Sequence, residues 1–175
     1  MISEFSIGTT SIGIMPIPEI ADVPRRQRER DTVALLLRRM LMQEARLTHA
    51  PDGAPLLEGW NISISHSRIL AVVALDAERI VGIDAEEMRP QLLRIKERFL
   101  SPAELSVFTT PDQLLTAWTI KEAVFKIAGA AAVEFRSAIA IAPDMLTADC
   151  LGRAYSIHSF DHGSTRISLA MLSEE

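Results

Sequence analysis

Cysteine is nearly absent from this sequence of 175 residues, which contains only Cys150. A disulfide framework within the chain is therefore impossible, and we expect a reducing compartment such as the cytoplasm. Long hydrophobic runs are also missing, because stretches such as Ile69–Leu75 fall far below the roughly 20 residues that a membrane helix needs. Residues 1–14 lack a basic start followed by an apolar segment, so we expect no secretion signal and no membrane partner.

Two further absences narrow the function. No G-x-x-x-x-G-K-(S/T) segment occurs, which excludes a P-loop enzyme. The formal net charge is -5 and the isoelectric point about 5.4, so we expect no nucleic-acid partner. Residues 25–46 are the exception, with seven arginines against three acidic residues. Such a cationic stretch suits an anionic ligand or an acidic partner, and a solvated helix face is the alternative.

The composition is that of a globular protein, with 48% hydrophobic and 23% charged residues. The chain is long enough for one good core or for two small cores packed together. Periodicity and capping signals predict four helices, over 25–47, over 90–100, beginning at 101, and over 111–128. Strands are predicted within 2–15 and over 61–65, 70–75, 79–86, 134–142, 152–160 and 165–173. Helices and strands occur in blocks, which favours an α+β fold with antiparallel sheets.

A pair of carboxylates is expected on one face of the strand at 79–86. Because side chains alternate along a strand, Val81, Ile83 and Ala85 should face a core, and Asp84 and Glu86 should share the opposite face. Gly82 lies on that same face and is expected to leave open space beside them. Two neighbouring carboxylates repel each other unless a cation lies between them, and Mg²⁺ prefers oxygen ligands. A solvated strand end is the alternative.

The helix at 111–128 carries a third carboxylate between aromatic residues. Trp118, Glu122 and Phe125 fall on one stripe, and Lys126 lies one turn beyond Glu122. Burying that carboxylate is costly without a partner. The partner is either Lys126, as a simple helix ion pair, or a metal ion shared with the strand carboxylates. In the latter case Lys126 and Lys121 would be free to hold phosphates.

The strand at 61–65 ends in a cluster of hydroxyls and one imidazole. The cluster indicates either a donor-rich cradle for a phosphate or hydroxyls that cap a helical turn, and it comprises Ser63, Ser65, His66 and Ser67.

These three elements, in this order, resemble the motifs of the 4'-phosphopantetheinyl transferase superfamily. Residues 64–67 resemble the family's S-H-S motif, 81–86 its G-(I/V)-D-x-E motif, and 118–126 its W-x-x-K-E-A-x-x-K motif. The segment 99–104, with Phe99 and Glu104, resembles the stretch that the family carries between the last two. The resemblance covers about residues 53–126 and points to the larger, single-chain type of the family.

The resemblance implies two similar α+β halves packed as a pseudo-dimer, with coenzyme A in the cleft between them. Residues 1–78 would form the adenosine side and residues 79–175 the metal and phosphate side. The implied reaction transfers 4'-phosphopantetheine from coenzyme A to a serine of an apo acyl or peptidyl carrier protein, in a monomeric enzyme of fatty acid or polyketide biosynthesis.

The resemblance also implies individual roles. The implied Mg²⁺ ligands are Asp84, Glu86 and Glu122; the implied catalytic residues are Glu122, Glu86 and Lys126; and the implied coenzyme A contacts are Ser65, His66, Lys121, Lys126 and Arg26. His66, with Ser65, would lie near the 3'-phosphate, while the lysines would contact the pyrophosphate.

One departure and several alternatives stay open. The family often has a basic residue in a G-(K/R)-P segment, whereas this sequence has the uncharged Gly53-Ala54-Pro55. A Mg²⁺-dependent phosphohydrolase acting on a coenzyme A-like pyrophosphate and a non-catalytic coenzyme A-binding module are the alternative functions. The carrier served, the general base, and the preference between free and acylated coenzyme A are not determined by the sequence.

Overall fold

A computed structural model describes residues 2–129 and 134–173 of the chain. It contains two main antiparallel sheets, one from each half of the sequence, and each sheet is covered by a long helix. The α+β class with antiparallel pairing, predicted from the sequence, is confirmed. No helix in the described ranges is long and apolar enough to cross a membrane.

The N-terminal sheet has four strands in the order β1-β2-β6-β5. Its strands are β1 (Ser3–Ile7), β2 (Thr10–Pro16), β5 (Asn61–His66) and β6 (Leu70–Asp76). Helix α1 (Arg25–Leu41) packs on this sheet through Val33, Leu36 and Leu37. Two short strands, β3 (Thr48–His49) and β4 (Pro55–Leu56), pair with each other in the connection between α1 and β5.

The C-terminal sheet has five strands in the order β7-β11-β10-β9-β8. Its strands are β7 (Val81–Glu87), β8 (Ile139–Ile141), β9 (Thr147–Cys150), β10 (Arg153–His162) and β11 (Thr165–Leu172). Between β7 and β8 the chain forms α2 (Pro90–Phe99), α3 (Pro102–Val107), α4 (Pro111–Ala128) and the single turn α5 (Phe135–Ala138).

The two sheets share a core. Alternate apolar residues of β2 and β6 pack against alternate residues of β7 and β11, and all of them are almost fully buried. Because this cluster joins both halves, neither sheet has its inner face open to water. The two sheets meet along the chain at residues 77–80, between β6 and β7.

Three local predictions were wrong. The first helix ends at Leu41 and not at Leu47, because Met42 adopts a left-handed backbone (φ 58°), while Leu47 packs on the same core from the following connection. The strand predicted over 134–142 is shorter, because residues 135–138 form a helical turn before β8 in which Phe135 packs against Trp118 and Phe125. The strand predicted to end at residue 160 continues through His162 as β10.

Candidate active site

The carboxylates of β7 lie where strand alternation places them. Val81, Ile83 and Ala85 join the core between the sheets, as predicted. Asp84 lies on the opposite face and is buried, with a side chain only 9% exposed. Glu86 is half-buried and forms an ion pair with Arg89, 2.8 Å between Nη2 and Oε1.

Gly82 does not leave open space beside these carboxylates, contrary to the sequence prediction. Helix α4 fills that space, because a methyl group at Gly82 would fall on the carbonyl oxygen of Ala123 and lie 2.9 Å from Cγ1 of Ile127. The glycine therefore allows the backbone of α4 to approach β7 closely. This approach brings Glu122 and Lys126 to the carboxylate face of the strand.

Helix α4 is fixed at its start and along its aromatic stripe. Thr110 and Gln113 form a capping box at its N-terminus, in which each side chain accepts the backbone N–H of the other residue. Trp118 packs edge-on against Phe99, with ring centroids 5.1 Å apart, and also contacts Phe135. These contacts set the rotation of the helix about its axis and hence the direction in which the side chain of Glu122 projects from the helix.

Lys126 bridges the two halves. Its Nζ donates to the carbonyl oxygens of Ile83 (2.7 Å) and Ile64 (3.3 Å) and to Oδ1 of Asp84 (2.9 Å). The three acceptors match the three donors of an ammonium group. Lys126 therefore pairs with Asp84, and not with Glu122 in the simple helix pair that helical spacing allows.

The three acidic side chains influence one another electrostatically. Burial raises the pKa of Glu86 most; Arg89 opposes this, Asp84, Glu87 and Glu122 add to it, and the result is a pKa of about 7. Burial also raises the pKa of Glu122, and Asp84 raises it further against the opposing effect of Lys126. Two acids that are reluctant to ionise beside a third favour a cation among them.

The side chains are not already arranged as a closed ligand group. Among residues 2–129 and 134–173, no three histidine, cysteine or acidic side chains form a ready-made metal site. A cation nevertheless fits the chemistry here, because Oδ2 of Asp84 is buried and lacks a hydrogen-bond partner within those ranges. Unpartnered buried carboxylate oxygens are costly, and hard divalent cations prefer such ligands. Asp84, Glu86 and Glu122 are the residues that would hold it.

Ser65 faces β7 and not the cleft. Its hydroxyl donates to Oδ1 of Asp84 (2.9 Å) and accepts the backbone N–H of Ala85 (3.2 Å). Ser63, two residues earlier on the same side of β5, accepts the N–H of Ile83 (2.9 Å). Both serines are more than nine-tenths buried. This geometry does not favour the direct coenzyme A contact predicted for Ser65.

His66 lies at the surface where β5 ends, between two cavities. One cavity, of about 680 Å³, is also lined by Arg26, Arg30 and Pro55, so that Arg26 and His66 share a cleft. The other, of about 320 Å³, is also lined by five charged residues: Arg25, Arg68, Glu86, Glu87 and Arg89. Burial lowers the pKa of His66; Glu29 opposes this, while Lys126 and Arg25 add to it. In each cavity the arginines outnumber the carboxylates by one, which suits an anionic ligand.

Lys121 is placed away from this cleft. Its side chain is fully buried, and its Nζ donates to Oε2 of Glu104 (2.8 Å) and to the carbonyl oxygen of Arg136 (3.1 Å). Burial lowers the pKa of Lys121, and Glu104 counteracts that effect. An ammonium group held in this way does not reach a ligand in the cleft, so the structure does not favour the predicted phosphate contact.

Sequence reasoning missed several residues at these places. Glu104 was identified as part of a helix start and of the family-like segment 99–104, but no partner was predicted for it; it accepts the N–H of Ile141 (3.0 Å) and binds Lys121. Arg68 and Arg89, which flank the second cavity, were not singled out at all. The signal for Arg89 was its place three residues after Glu86. Arg68 had no local signal, because its acidic partner Glu87 comes from β7.

Comparison with known proteins agrees with the motif resemblance. Residues 80–162 match the family model of the 4'-phosphopantetheinyl transferase superfamily. A 4'-phosphopantetheinyl transferase of Bacillus subtilis is 40% identical over 81 residues, which cover 43% of this chain and 36% of that protein. The 4'-phosphopantetheinyl transferase HetI of Nostoc sp. (strain PCC 7120 / SAG 25.82 / UTEX 2576) is 31% identical over 100 residues, which cover 49% of this chain and 42% of that protein. The aligned regions thus span less than half the length of these curated relatives.

Proposed function

The resemblance to the 4'-phosphopantetheinyl transferase superfamily is established over residues 80–162, and on that premise we propose that the protein transfers 4'-phosphopantetheine from coenzyme A to a serine of an apo acyl or peptidyl carrier protein. The observation that carries the proposal is the approach of α4 to β7, which places Glu122 and Lys126 beside Asp84 and Glu86 within the matched residues.

The reaction exchanges one phosphorus–oxygen bond for another. The serine oxygen of the carrier forms a bond to the phosphorus that bears the pantetheine, and the bond from that phosphorus to the bridging oxygen of the pyrophosphate breaks. Adenosine 3',5'-bisphosphate leaves with the bonding electrons. The serine proton must be removed in the same process, and the enzyme itself forms no covalent bond.

The acidic residues serve two needs of this reaction. Asp84, Glu86 and Glu122 would hold Mg²⁺, which supplies charge neutralisation at the phosphate oxygens when bound. Glu122 or Glu86 accepts the serine proton, since a carboxylate within hydrogen-bond reach of the reacting hydroxyl is a general base.

The cationic groups orient the donor. Lys126 keeps its ammonium group at the junction of the halves, and a phosphate oxygen would replace its longest contact, the 3.3 Å hydrogen bond to Ile64. Arg26 and His66 line the first cavity. They would receive the 3'-phosphate, and the adenosine end of coenzyme A would then lie against residues 1–78. Lysine and arginine fix the anionic substrate before the carrier arrives, which lowers the entropic part of the barrier.

The decisive assay is incubation with coenzyme A, Mg²⁺ and a panel of apo carrier proteins, read by intact mass. We expect a carrier to gain one phosphopantetheine group. Release of adenosine bisphosphate without carrier modification would instead identify a phosphohydrolase, and binding of coenzyme A without any reaction would identify a non-catalytic module.

Replacement of the helix carboxylate tests the site directly. Glu122→Gln keeps the shape of the side chain and removes its charge, so we expect transfer to fall by at least about 100-fold with an unchanged melting curve. Glu44→Gln is the control, because Glu44 pairs with Arg38 on an exposed surface and its side chain is 80% exposed. Near-normal turnover by Glu122→Gln would remove Glu122 from the catalytic machinery.

A further inference from the structure

Strands β5 and β7 are joined by serine side chains. Ser63 accepts the backbone N–H of Ile83, and Ser65 accepts that of Ala85, so alternate N–H groups of β7 are satisfied by hydroxyls from the neighbouring sheet. In this respect the two serines are equivalent, since both are buried and each accepts one backbone hydrogen bond from β7. Each therefore contributes to holding the halves together.

The two serines differ in where the hydroxyl proton goes. Ser65 donates its proton to Oδ1 of Asp84 at 2.9 Å. Among the hydrogen bonds of the described residues, Ser63 makes none to a carboxylate. Of the two serines, Ser65 is therefore the one whose hydroxyl also connects the junction of the two sheets to the acidic site.

The carboxylate of Asp84 is held on one side only. Its Oδ1 accepts two charge-assisted hydrogen bonds, from Ser65 and from Lys126 at 2.9 Å. Its Oδ2 is buried and has no partner in the described part of the chain. Two donors on one oxygen fix the plane of the group and leave the other oxygen for a ligand that is not a protein donor.

We infer that Ser65 is a positioning residue for metal binding: by holding Oδ1 of Asp84 it reserves Oδ2 for the divalent cation. The inference rests on the proposed function. It assigns Ser65 a role through Asp84, in place of the direct contact with coenzyme A that the motif resemblance implies. A hydrogen bond that orients a ligand oxygen typically affects metal affinity about 10-fold or more when it is lost.

The test separates these two roles by measuring coenzyme A binding in EDTA and across a Mg²⁺ titration, for the wild type and three variants. Ser65→Ala removes the hydroxyl, Ser65→Thr retains it, and Ser63→Ala removes a matched hydroxyl that contacts no carboxylate. A melting curve of each variant confirms that the protein is folded at the temperature of measurement.

We expect Ser65→Ala to raise the Mg²⁺ midpoint about 10-fold or more while its coenzyme A affinity in EDTA changes less than about twofold. Ser63→Ala should leave the midpoint unchanged, and Ser65→Thr should restore it. An equal loss of coenzyme A affinity in EDTA for Ser65→Ala would show a direct contact and overturn the inference. An equal shift for Ser63→Ala would overturn it too, by showing a purely structural effect. If Mg²⁺ has no effect on the wild type, the proposed metal site itself fails.

Discussion

The buried ion pair of Lys121 provides a sharp test, because the sequence and the structure assign this lysine different roles. The substitution Lys121→Met keeps the length and apolar body of the side chain and removes the ammonium group. Lys121 is fully buried, and its partner Glu104 is 6% exposed. The structure therefore predicts a loss of stability, whereas the motif resemblance predicts a loss of coenzyme A binding.

The size of the effect follows from what Glu104 retains. Removing one partner of a buried ion pair costs roughly 3–5 kcal/mol, because the other charge stays buried without compensation. Glu104 would still accept backbone hydrogen bonds from Ser101 (2.8 Å) and Ile141 (3.0 Å), which places the cost near the lower end. For a chain of this length each kcal/mol corresponds to about 2–4 °C in melting temperature, so we expect a decrease of roughly 6–12 °C.

The assay combines thermal unfolding with coenzyme A binding at a temperature where the variant is folded. Lys126→Met is the comparison, because the side chain of Lys126 is 29% exposed in the cleft. Since its partner Asp84 is also buried, Lys126→Met should lose stability too, but it should lose coenzyme A affinity, which Lys121→Met should retain. The double variant Glu104→Gln/Lys121→Met should recover part of the lost stability, since no uncompensated charge remains. A normal melting temperature for Lys121→Met, together with weakened coenzyme A binding, would refute the structural role.

The strongest local sequence patterns were sufficient to predict the strand and the helix that carry the site. Strand alternation placed Asp84 on one face of β7 and the core residues on the other. Pro111 and Gly129 were sufficient to predict the bounds of α4, because proline suits the first helical position and a glycine after the last turn ends a helix. These signals depend only on neighbours within a few residues, which is why they could be interpreted without a structure.

The partners of the charged groups could not be predicted in the same way. Lys121 and Glu122 are adjacent in sequence, but successive helical residues point about 100° apart, so one lies in the core and the other at the site. The hydrogen bond from Ser65 to Asp84 crosses between two sheets, and no spacing within either strand encodes it. Gly82 was assigned to open space because a missing side chain does not reveal what fills the room it leaves.

Two further predictions concern the frame of the site. Burial alone would raise the pKa of Asp76. Four hydrogen bonds to its carboxylate outweigh this effect and lower the pKa to about 2; the donors are the backbone N–H groups of Arg79 and Glu78 and the hydroxyls of Thr10 and Thr9. The ionised carboxylate of Asp76 therefore stabilises the fold above about pH 3.8, and this stabilisation is lost as the pH falls towards 2. In Asp76→Asn the free energy of unfolding should depend less steeply on pH in that window. An unchanged pH dependence would contradict this reasoning. Gly82→Ala should push α4 away from β7, because the added methyl group meets the rigid backbone carbonyl of Ala123. We expect the free energy of unfolding, measured in urea, to fall by about 1–3 kcal/mol, and transfer activity to be lost. Gly13→Ala is the control, since its methyl group would meet the side chains of Met40 and Leu36 and no backbone atom of α4. Equal loss of transfer activity in the two variants would show that the closeness of α4 to β7 does not control the site.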